Sequence, residues 1–300
     1  MPYDPQFISG HSIPLPLPSE RVLARAFGGA YIHHSRHSLL FNEERGFAFV
    51  SANNIDGATL AASQFTSRSF KNDPKILPTS LQVDRDRGYR TSLEHDFGPN
   101  PWDQGHLARR KSLSWGNEAD ASIAERESDL WSNIVPQHEK LHDDAWGKIE
   151  DWMLERVEND GNSACVFTGP VFTVDDPLHK NGPDENPIHI PAGFWKVISV
   201  PLSGQLRSAG FLVWQRDYDS EEPLGFSPVL EQVRLTTIEV LTGLTFPTLR
   251  QFDPLLFDLH SSIQANVSTS TADRRSPNME HLKVKSPRIA SINSKRDIVL

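Results

Sequence analysis

One stretch decides how this chain folds: Pro101-Trp102-Asp103-Gln104-Gly105-His106-Leu107-Ala108-Arg109-Arg110. Gly105 has no side chain, so backbone or substrate can come close to the histidine that follows it. Arg109 and Arg110 suit a phosphate, because a guanidinium presents several donors in a fixed fork. His106 is a candidate general base, since the ordinary pKa of imidazole lies near neutral pH. The stretch therefore predicts a turn that handles phosphate esters.

A second polar block follows at Trp131-Ser132-Asn133-Ile134-Val135-Pro136-Gln137. From His138 to Val157 apolar residues recur at helical spacing, which predicts a helix of about five turns with one buried face. The apolar positions are Leu141, Ala145, Ile149, Trp152, Met153 and Val157. A Gly-His turn, basic residues, a polar loop and a helix with polar side chains together favour a metal-assisted phosphodiesterase.

At these residues the chain resembles the DNA/RNA non-specific endonucleases, a family whose site is a ββα-metal finger. The family's blocks are Asp-Arg-Gly-His, Ser-Asn-x-x-Pro-Gln, Leu-Asn-x-x-x-Trp and Leu-Glu-Asp, and several blocks in the right order are specific evidence. The counterparts in this chain are Asp103-Gln104-Gly105-His106, Ser132 to Gln137, Leu141-His142-Asp143-Asp144-Ala145-Trp146 and Ile149-Glu150-Asp151. Further segments resemble the family at 67–74, 168–172 and 190–197, so the likeness spans about residues 30 to 250.

The resemblance implies roles for residues on and before the first arm of the finger. His106 is the expected general base, and Arg68 is the expected contact to the scissile phosphate. Gln104 stands where the family has an arginine, which removes one positive charge. Arg109 and Arg110 are near enough in sequence to compensate, and we expect them to bind substrate.

Two more polar residues match the family further along the finger. Asn133 is expected to help orient the site, and the alternative is a turn cap. Glu150 lies eight residues after His142, just over two helical turns, so both side chains can face the same side. By resemblance Glu150 holds metal-bound water, and the alternative is a solvated acid on the helix surface.

The expected metal ligand is the largest departure from the family. There an Asn on the helix holds a hydrated Mg²⁺, whereas this chain has His142. Amide oxygen suits Mg²⁺, but imidazole nitrogen prefers Mn²⁺, Zn²⁺, Ni²⁺ or Co²⁺. Three interpretations stay open: His142 is a ligand with altered metal preference, Asp143 or Asp144 supplies the oxygen, or the site is impaired. We expect one divalent metal ion, Mg²⁺ by resemblance, or Mn²⁺ or another transition metal because of His142.

The composition permits a sizeable core and places the basic residues locally. The 300-residue chain is 37% hydrophobic and carries a formal charge of −9. Non-specific nucleic-acid binding needs positive charge only where phosphates lie. Arg68, Arg109 and Arg110 supply it near the expected site, although a solvated basic face is the alternative interpretation. The single cysteine, Cys165, excludes an intramolecular disulfide and lies in an apolar run that predicts a buried strand.

The sequence leaves the cellular location open. Residues 1–20 show no secretory signal, and no apolar run is long enough for a membrane helix. A cytoplasmic enzyme, a non-classically exported one and a truncated chain all fit. The expected partners are DNA and RNA substrates and no membrane, with a homodimer left open.

Three regions are predicted along the chain. Residues 1–28 contain a Pro-rich stretch that predicts an extended arm, with folded structure beginning near Ala30. Residues 29–260 are the expected endonuclease domain. Its expected elements are strands near 37–41, 46–50, 165–167, 194–201 and 209–214, and helices near 119–129 and 235–243. Residues 261–300 form a basic, Ser-rich tail that is predicted to be disordered.

These observations predict an α+β fold: a mixed, mainly antiparallel sheet with a ββα-metal finger packed on it and flanking helices. The predicted function is a divalent-metal-dependent, sugar-non-specific endonuclease whose products, by resemblance, carry 5′-phosphates. The rival is a catalytically impaired nucleic-acid- or protein-binding relative of the same fold, which the departures at Gln104 and His142 favour. A second rival is a phosphodiesterase that acts on small nucleotides.

Overall fold

The computed structural model describes residues 1–61, 67–89, 101–141, 146–180, 186–216, 226–256 and 290–300 except 293, 295 and 296. The expected metal ligand His142 and its alternatives Asp143 and Asp144 lie outside the described residues, as does most of the predicted tail.

Strands outnumber helices in the described part of the chain. The strands are β1 (Leu17–Pro18), β2 (Ile32–His33), β3 (His37–Asn42), β4 (Phe47–Asp56), β5 (Trp102–His106), β6 (Ile134–His138), β7 (Ser163–Val171), β8 (Leu178–His179), β9 (Ile188–His189), β10 (Gly193–Leu202), β11 (Gln205–Trp214), β12 (Leu230–Val233), β13 (Leu244–Thr245) and β14 (Ala290–Ser291). The α-helices are α1 (Glu20–Leu23), α2 (Arg85–Gly88), α3 (Glu118–Ser128), α4 (Gly147–Asp160) and α5 (Leu235–Thr242).

Eight of the described strands form the main sheet, in the order β14-β12-β11-β10-β7-β4-β3-β2. Every pair of neighbours in it is antiparallel. The longest pairing is the hairpin β10–β11, which runs from Gly193 opposite Trp214 to Leu202 opposite Gln205. The predicted α+β fold with a mainly antiparallel sheet is therefore confirmed.

Two apolar layers cover this sheet, because successive residues of a strand point to opposite faces. Phe194 belongs to the cluster that contains Ile149 of α4, whereas the next residue, Trp195, belongs to the cluster that contains Ile238 of α5. The sheet is the middle of three layers, with α4 on one face and α5 on the other.

The finger is built from the hairpin β5–β6 and the helix α4. In the hairpin His106 lies opposite Ile134, and Trp102 lies opposite His138. Ile134 and Val135 are buried in the same cluster as Phe194. The finger therefore packs on the α4 face of the main sheet, and this packing fixes the position of His106 at the end of β5.

Helix α4 begins later than the apolar spacing suggested. His138 is the last residue of β6, and α4 ends at Asp160 with Gly161 in the left-handed conformation, at φ 59°. The spacing still identified the buried face, since Ile149, Met153 and Val157 are buried. Among the described residues, none of the helices combines the length and apolar character that crossing a bilayer requires.

Folded structure begins well before Ala30, so that expectation is wrong. Ile8 and Ile13 are buried on the α5 face of the sheet. The hydroxyl of Tyr3 donates a hydrogen bond of 2.7 Å to the Ile13 carbonyl, and β1 pairs with β13. Proline excludes a helix over this Pro-rich stretch, but it leaves side chains free to pack along an extended path.

The last residues of the chain also depart from expectation. The predicted tail is described only at its end, where β14 pairs with the edge strand β12. Val299 exchanges two hydrogen bonds with the Gln232 side chain, of 2.7 and 2.9 Å. Disorder is therefore the wrong expectation for this end, because an unpaired edge strand offers free N–H and C=O groups to any segment that reaches it.

Candidate active site

Gly105 brings the two strands of the finger into close contact just before His106. A Cβ at this position would lie 2.2 Å from Cδ of Gln137, which is far inside van der Waals contact. The close approach that the sequence predicted at Gly105 is thus made by the side chain of Gln137. A larger residue at this position would therefore force the side chain of Gln137 to move.

His106 ends β5 with its ring largely buried. Its Nε2 lies 3.0 Å from Oδ1 of Asp129, and its side chain is 10% exposed. Burial lowers the pKa of His106, Asp129 raises it, and the nearby charges of Arg68 and Arg110 lower it again, with a net decrease. The ring is therefore neutral at pH 7, which is the form that a general base needs.

Asp129, which caps the end of α3, is the buried partner of this ring. Its Oδ2 accepts a hydrogen bond of 2.9 Å from the Ser69 backbone N–H. The same oxygen forms an ion pair with Nη2 of Arg110. Burial alone would raise the pKa of Asp129, but the hydrogen bonds from His106 and Ser69 outweigh burial and lower it. A carboxylate therefore faces the histidine at neutral pH.

Asn133 is completely buried and holds the turn that follows His106. Its Oδ1 accepts from the Ala108 N–H at 2.9 Å, and its Nδ2 donates to the carbonyls of Ala108 and Ser128 at 3.0 and 2.9 Å. Its backbone carbonyl also accepts from the Leu107 N–H at 2.9 Å. These bonds occupy the amide, so Asn133 holds the turn from inside the protein.

Arg109 and Arg110 point in different directions and bind acids of the protein. Nη1 of Arg109 lies 2.7 Å from Oδ1 of Asp151, and its Nε lies 3.6 Å from Oε2 of Glu150. Arg110 forms an ion pair with Asp129 and donates a hydrogen bond of 3.0 Å to the Ser67 carbonyl. Each guanidinium is thus paired with a carboxylate of the protein, and the substrate-binding role expected from sequence stays a prediction.

Arg68 lies at the rim of an open cleft of about 730 Å³ beside the base. It is exposed and makes no ion pair with the described residues. Aromatic side chains line the cleft: Phe70 stacks on Trp131 with ring centroids 5.0 Å apart, and Trp131 stacks on Tyr89 at 5.4 Å. Phe70 also contacts the His106 ring at 5.7 Å, so the cleft and the base share a wall.

Glu150 is almost fully buried on α4 and pairs with a buried lysine. Its Oε1 lies 3.1 Å from Nζ of Lys196. The same Nζ donates a hydrogen bond of 2.7 Å to Oγ1 of Thr168 and lies 4.9 Å from the centre of the Trp146 ring. Burial lowers the pKa of Lys196, Glu150 raises it and Arg109 lowers it, with a net decrease. Glu150 is therefore not a solvated helix acid.

The structure gathers most of the predicted residues and adds two that the sequence did not single out. Arg68 lines the cleft, His106 contacts the lining residue Phe70, and Glu150 lies on α4 beside Arg109. Asp129 and Lys196 were missed as site residues. The available signal for Lys196 was its position in the apolar run Phe194-Trp195-Lys196-Val197, because a lysine in a buried strand requires a partner.

The described donors fit a mostly hydrated cation better than a closed protein cage. No group of three or more His, Cys, Asp or Glu side chains able to hold a metal ion occurs among the described residues. Glu150 offers one carboxylate, whose Oε1 is already bonded to Lys196. Mg²⁺ commonly keeps several waters and takes one or two carboxylates, so this donor set suits such an ion.

The chain is similar over most of its length to proteins that are already known. The sequence profile for DNA/RNA non-specific endonuclease matches residues 21–251. An uncharacterized protein of Sinorhizobium fredii, y4fB, is 34% identical over 191 residues, which are 63% of this chain and 27% of that protein. A nuclease of Serratia marcescens is 28% identical over 223 residues, which are 72% of this chain and 75% of the nuclease.

The fold is also found among solved structures. A crystal structure of the EndoG/EndoGI complex matches with a TM-score of 0.52 at 20% identity, covering 75% of this chain and 89% of the other. This likeness concerns the fold, and the chain spans only about a quarter of the length of the Sinorhizobium protein. Because the family profile covers most of the sequence and includes every block of the finger, the chain belongs to the DNA/RNA non-specific endonuclease family.

Proposed function

We propose that this chain is an endonuclease that hydrolyses phosphodiester bonds of DNA and RNA without sequence preference, with a divalent cation and His106 as general base. One observation carries the proposal: a neutral, mostly buried imidazole lies 3.0 Å from a buried carboxylate and contacts Phe70, which lines the same cleft as Arg68. Family membership and the name of the Serratia nuclease support the same reaction class.

In the proposed reaction His106 takes a proton from the water that attacks phosphorus. The bond from water oxygen to phosphorus forms while the bond from phosphorus to the 3′-oxygen breaks, which leaves a 5′-phosphate. A positioned base contributes about 10²–10⁴-fold to such a step. The ring is suited to this because burial lowers the pKa of His106, so the base stays unprotonated at neutral pH.

Arg68 contributes positive charge at the phosphate. An exposed guanidinium beside the cleft can donate two parallel hydrogen bonds to phosphate oxygens. Such bonds act on the charge that develops as the ester bond breaks. Arg109 and Arg110 act indirectly, because they hold Glu150, Asp151 and Asp129 in place.

The cation belongs on the α4 side of the site. His142 would hold it directly, with Asp143 or Asp144 as alternatives, and the carboxylate of Glu150 would hold its water. When bound, the cation supplies positive charge to the phosphate and to the leaving oxygen. Lys196 fixes the carboxylate of Glu150 in position, since it donates to Oε1 from a buried site.

A catalytically impaired, nucleic-acid-binding relative is the second candidate. The supporting observation is the loss of free positive charge at the site. Gln104 carries no charge, and both Arg109 and Arg110 are committed to protein acids. In this case the protein would bind nucleic acid without cutting it.

Cleavage of plasmid DNA and of a structured RNA separates the two candidates. The substrates are incubated with Mg²⁺, Mn²⁺, Co²⁺, Ni²⁺ or Zn²⁺, and in parallel with EDTA. For an endonuclease we expect relaxation and then linearisation of the plasmid and cleavage of the RNA, all abolished by EDTA. Binding in a gel-shift assay with no cleavage in any metal would contradict the proposal and support the second candidate.

A further inference from the structure

We propose that Asp129 is the positioning residue of the base: its carboxylate fixes the tautomer and the orientation of His106 and ties the base to the segment that carries Arg68. This inference rests on the proposed function, in which His106 accepts the proton. Asp129 matches none of the blocks that identify the family. It follows the last residue of α3, in the segment of chain that connects the two strands of the finger, β5 and β6.

The tautomer follows from which groups can donate. A carboxylate only accepts hydrogen bonds, and Asp129 is held ionised because hydrogen bonds lower its pKa despite burial. Nε2 of His106 lies 3.0 Å from Oδ1 of Asp129 and must therefore carry the proton of the neutral ring. The other nitrogen, Nδ1, is then the lone-pair acceptor that takes the proton from water.

The orientation is rigid because Asp129 is anchored on both sides. Its second oxygen, Oδ2, binds Ser69 N–H and Arg110. Its own carbonyl accepts from the Lys71 N–H at 3.3 Å. With its side chain 3% exposed, the carboxylate has little room to leave the ring, so His106 is held against rotation about its own side-chain bonds.

The same carboxylate places the phosphate-binding arginine. Ser69 follows Arg68 directly, and its N–H is bonded to Asp129 at 2.9 Å. One side chain therefore sets the position of the base and the path of the backbone beside Arg68. Loss of Asp129 should disturb proton transfer and phosphate contact together, which a residue that only packs would not do.

The charges around His106 determine the direction of a pH effect. Asp129 faces the ring and raises its pKa, whereas Arg68 and Arg110 lower it. The more distant, buried His37 also interacts with His106 electrostatically. Removing the negative charge of Asp129 leaves the two arginines unopposed, so the pKa of His106 falls and the acid limb of the kcat profile moves to lower pH.

The test compares Asp129→Asn with wild type in three measurements on the full-length protein. NMR of the ring nitrogens, without metal or substrate, reports the tautomer. The pH profile of kcat reports the pKa of the base, and KM reports substrate binding. We expect Nε2–H in wild type, a mixed or Nδ1–H ring in Asp129→Asn, at least a tenfold loss of kcat at pH 7, and an acid limb at lower pH.

Asp176→Asn is the matched control, because Asp176 is also a buried carboxylate that pairs with an arginine, Arg45, at 3.1 Å. It should leave kcat, the acid limb and the ring of His106 unchanged. Wild-type kcat and Nε2–H in a folded Asp129→Asn protein would overturn the inference while leaving the proposed function intact. If Asp129→Asn does not fold, the wild-type spectrum still decides: a proton on Nδ1 of His106 would overturn the inference. If the wild type cuts no nucleic acid, the proposed function fails, and the NMR measurement still tests whether Asp129 sets the tautomer of His106.

Discussion

Arg109 and Arg110 are neighbours in the chain, yet they support opposite halves of the site. Arg110 belongs to the base half, which we define as His106, Asp129 and Arg110. Arg109 belongs to the helix half, which we define as Glu150, Lys196 and Arg109.

The two halves differ in exposure and therefore in what a substitution should change. The ring of His106 is 10% exposed and contacts Phe70 of the cleft, whereas the side chains of Glu150 and Lys196 are 4% and 2% exposed. A paired charge so deeply buried is costly to break. Substitution of Lys196 in the helix half should mainly lower stability, and substitutions near the base should mainly lower the rate.

Lys196→Met should give the largest loss of stability. Methionine fills a similar volume but leaves the buried Glu150 carboxylate with only its longer, 3.6 Å pair to Arg109, and breaking a buried pair costs about 3–5 kcal/mol. The measurement is the free energy of unfolding from urea denaturation at pH 7. Adding Glu150→Gln to Lys196→Met should recover part of the loss, because the buried charge that lost Lys196 is then removed. A single-variant loss below about 1 kcal/mol would show that the pair is not a buried ion pair in solution.

Arg68→Ala should lower the rate and spare the fold. Hydrogen bonds to charged groups contribute about 1.5–3 kcal/mol, so kcat/KM should fall by about 10- to 100-fold. The melting temperature should stay unchanged, since Arg68 is exposed. Arg21→Ala is the control, because Arg21 is also an exposed arginine but lies on α1. If Arg68→Ala lowers the melting temperature and keeps the wild-type rate, Arg68 is a structural residue.

His142→Asn should change which metal the protein prefers. An amide oxygen is a harder donor than imidazole nitrogen, so Mg²⁺ should gain relative to Mn²⁺, Co²⁺ and Ni²⁺. Calorimetric metal binding and plasmid cleavage should report the same new ranking. An unchanged ranking in both would exclude His142 as the ligand and direct attention to Asp143 and Asp144.

Deleting residues 290–300 should have the smallest effect on the rate, because it removes no residue of either half of the site. The deletion removes β14 and the two hydrogen bonds between Val299 and Gln232. These two bonds contribute about 0.5–1.5 kcal/mol each. The deletion also removes Ile292, Ile298 and Leu300, which pack against the core on the α4 face, so we expect a stability loss that exceeds the about 1–3 kcal/mol of the two bonds. Plasmid cleavage at 25 °C should be unchanged, and a loss of kcat would mean that this end reaches the site.

The sequence predicted the parts of the site that follow from local pattern. The Gly-His pair, which ends β5 and is not a turn, the buried face of α4 and the polar residues of the finger all lie within short stretches of chain. Their order along the chain identified the family and with it the fold. His106, Arg68 and Glu150 were predicted as site residues this way.

The partners of those residues could not be predicted from local pattern. Lys196 is 46 residues from Glu150, and Asp129 is 23 residues from His106. Which acid meets Arg109 and which meets Arg110 depends on how α3 and α4 pack, and an arginine suits either. The buried N-terminal segment was missed for a related reason, since proline excludes a helix without excluding burial.

Chemical rescue tests the role of His106 most directly. His106→Ala is assayed on plasmid DNA with increasing imidazole between pH 6 and 8, with His189→Ala as a histidine control outside the site. If His106 is the general base, the variant loses about 10²–10⁴-fold in rate, imidazole restores part of it in proportion to its neutral fraction, and the control loses nothing. A folded His106→Ala protein that cleaves at the wild-type rate, with or without imidazole, would contradict this role.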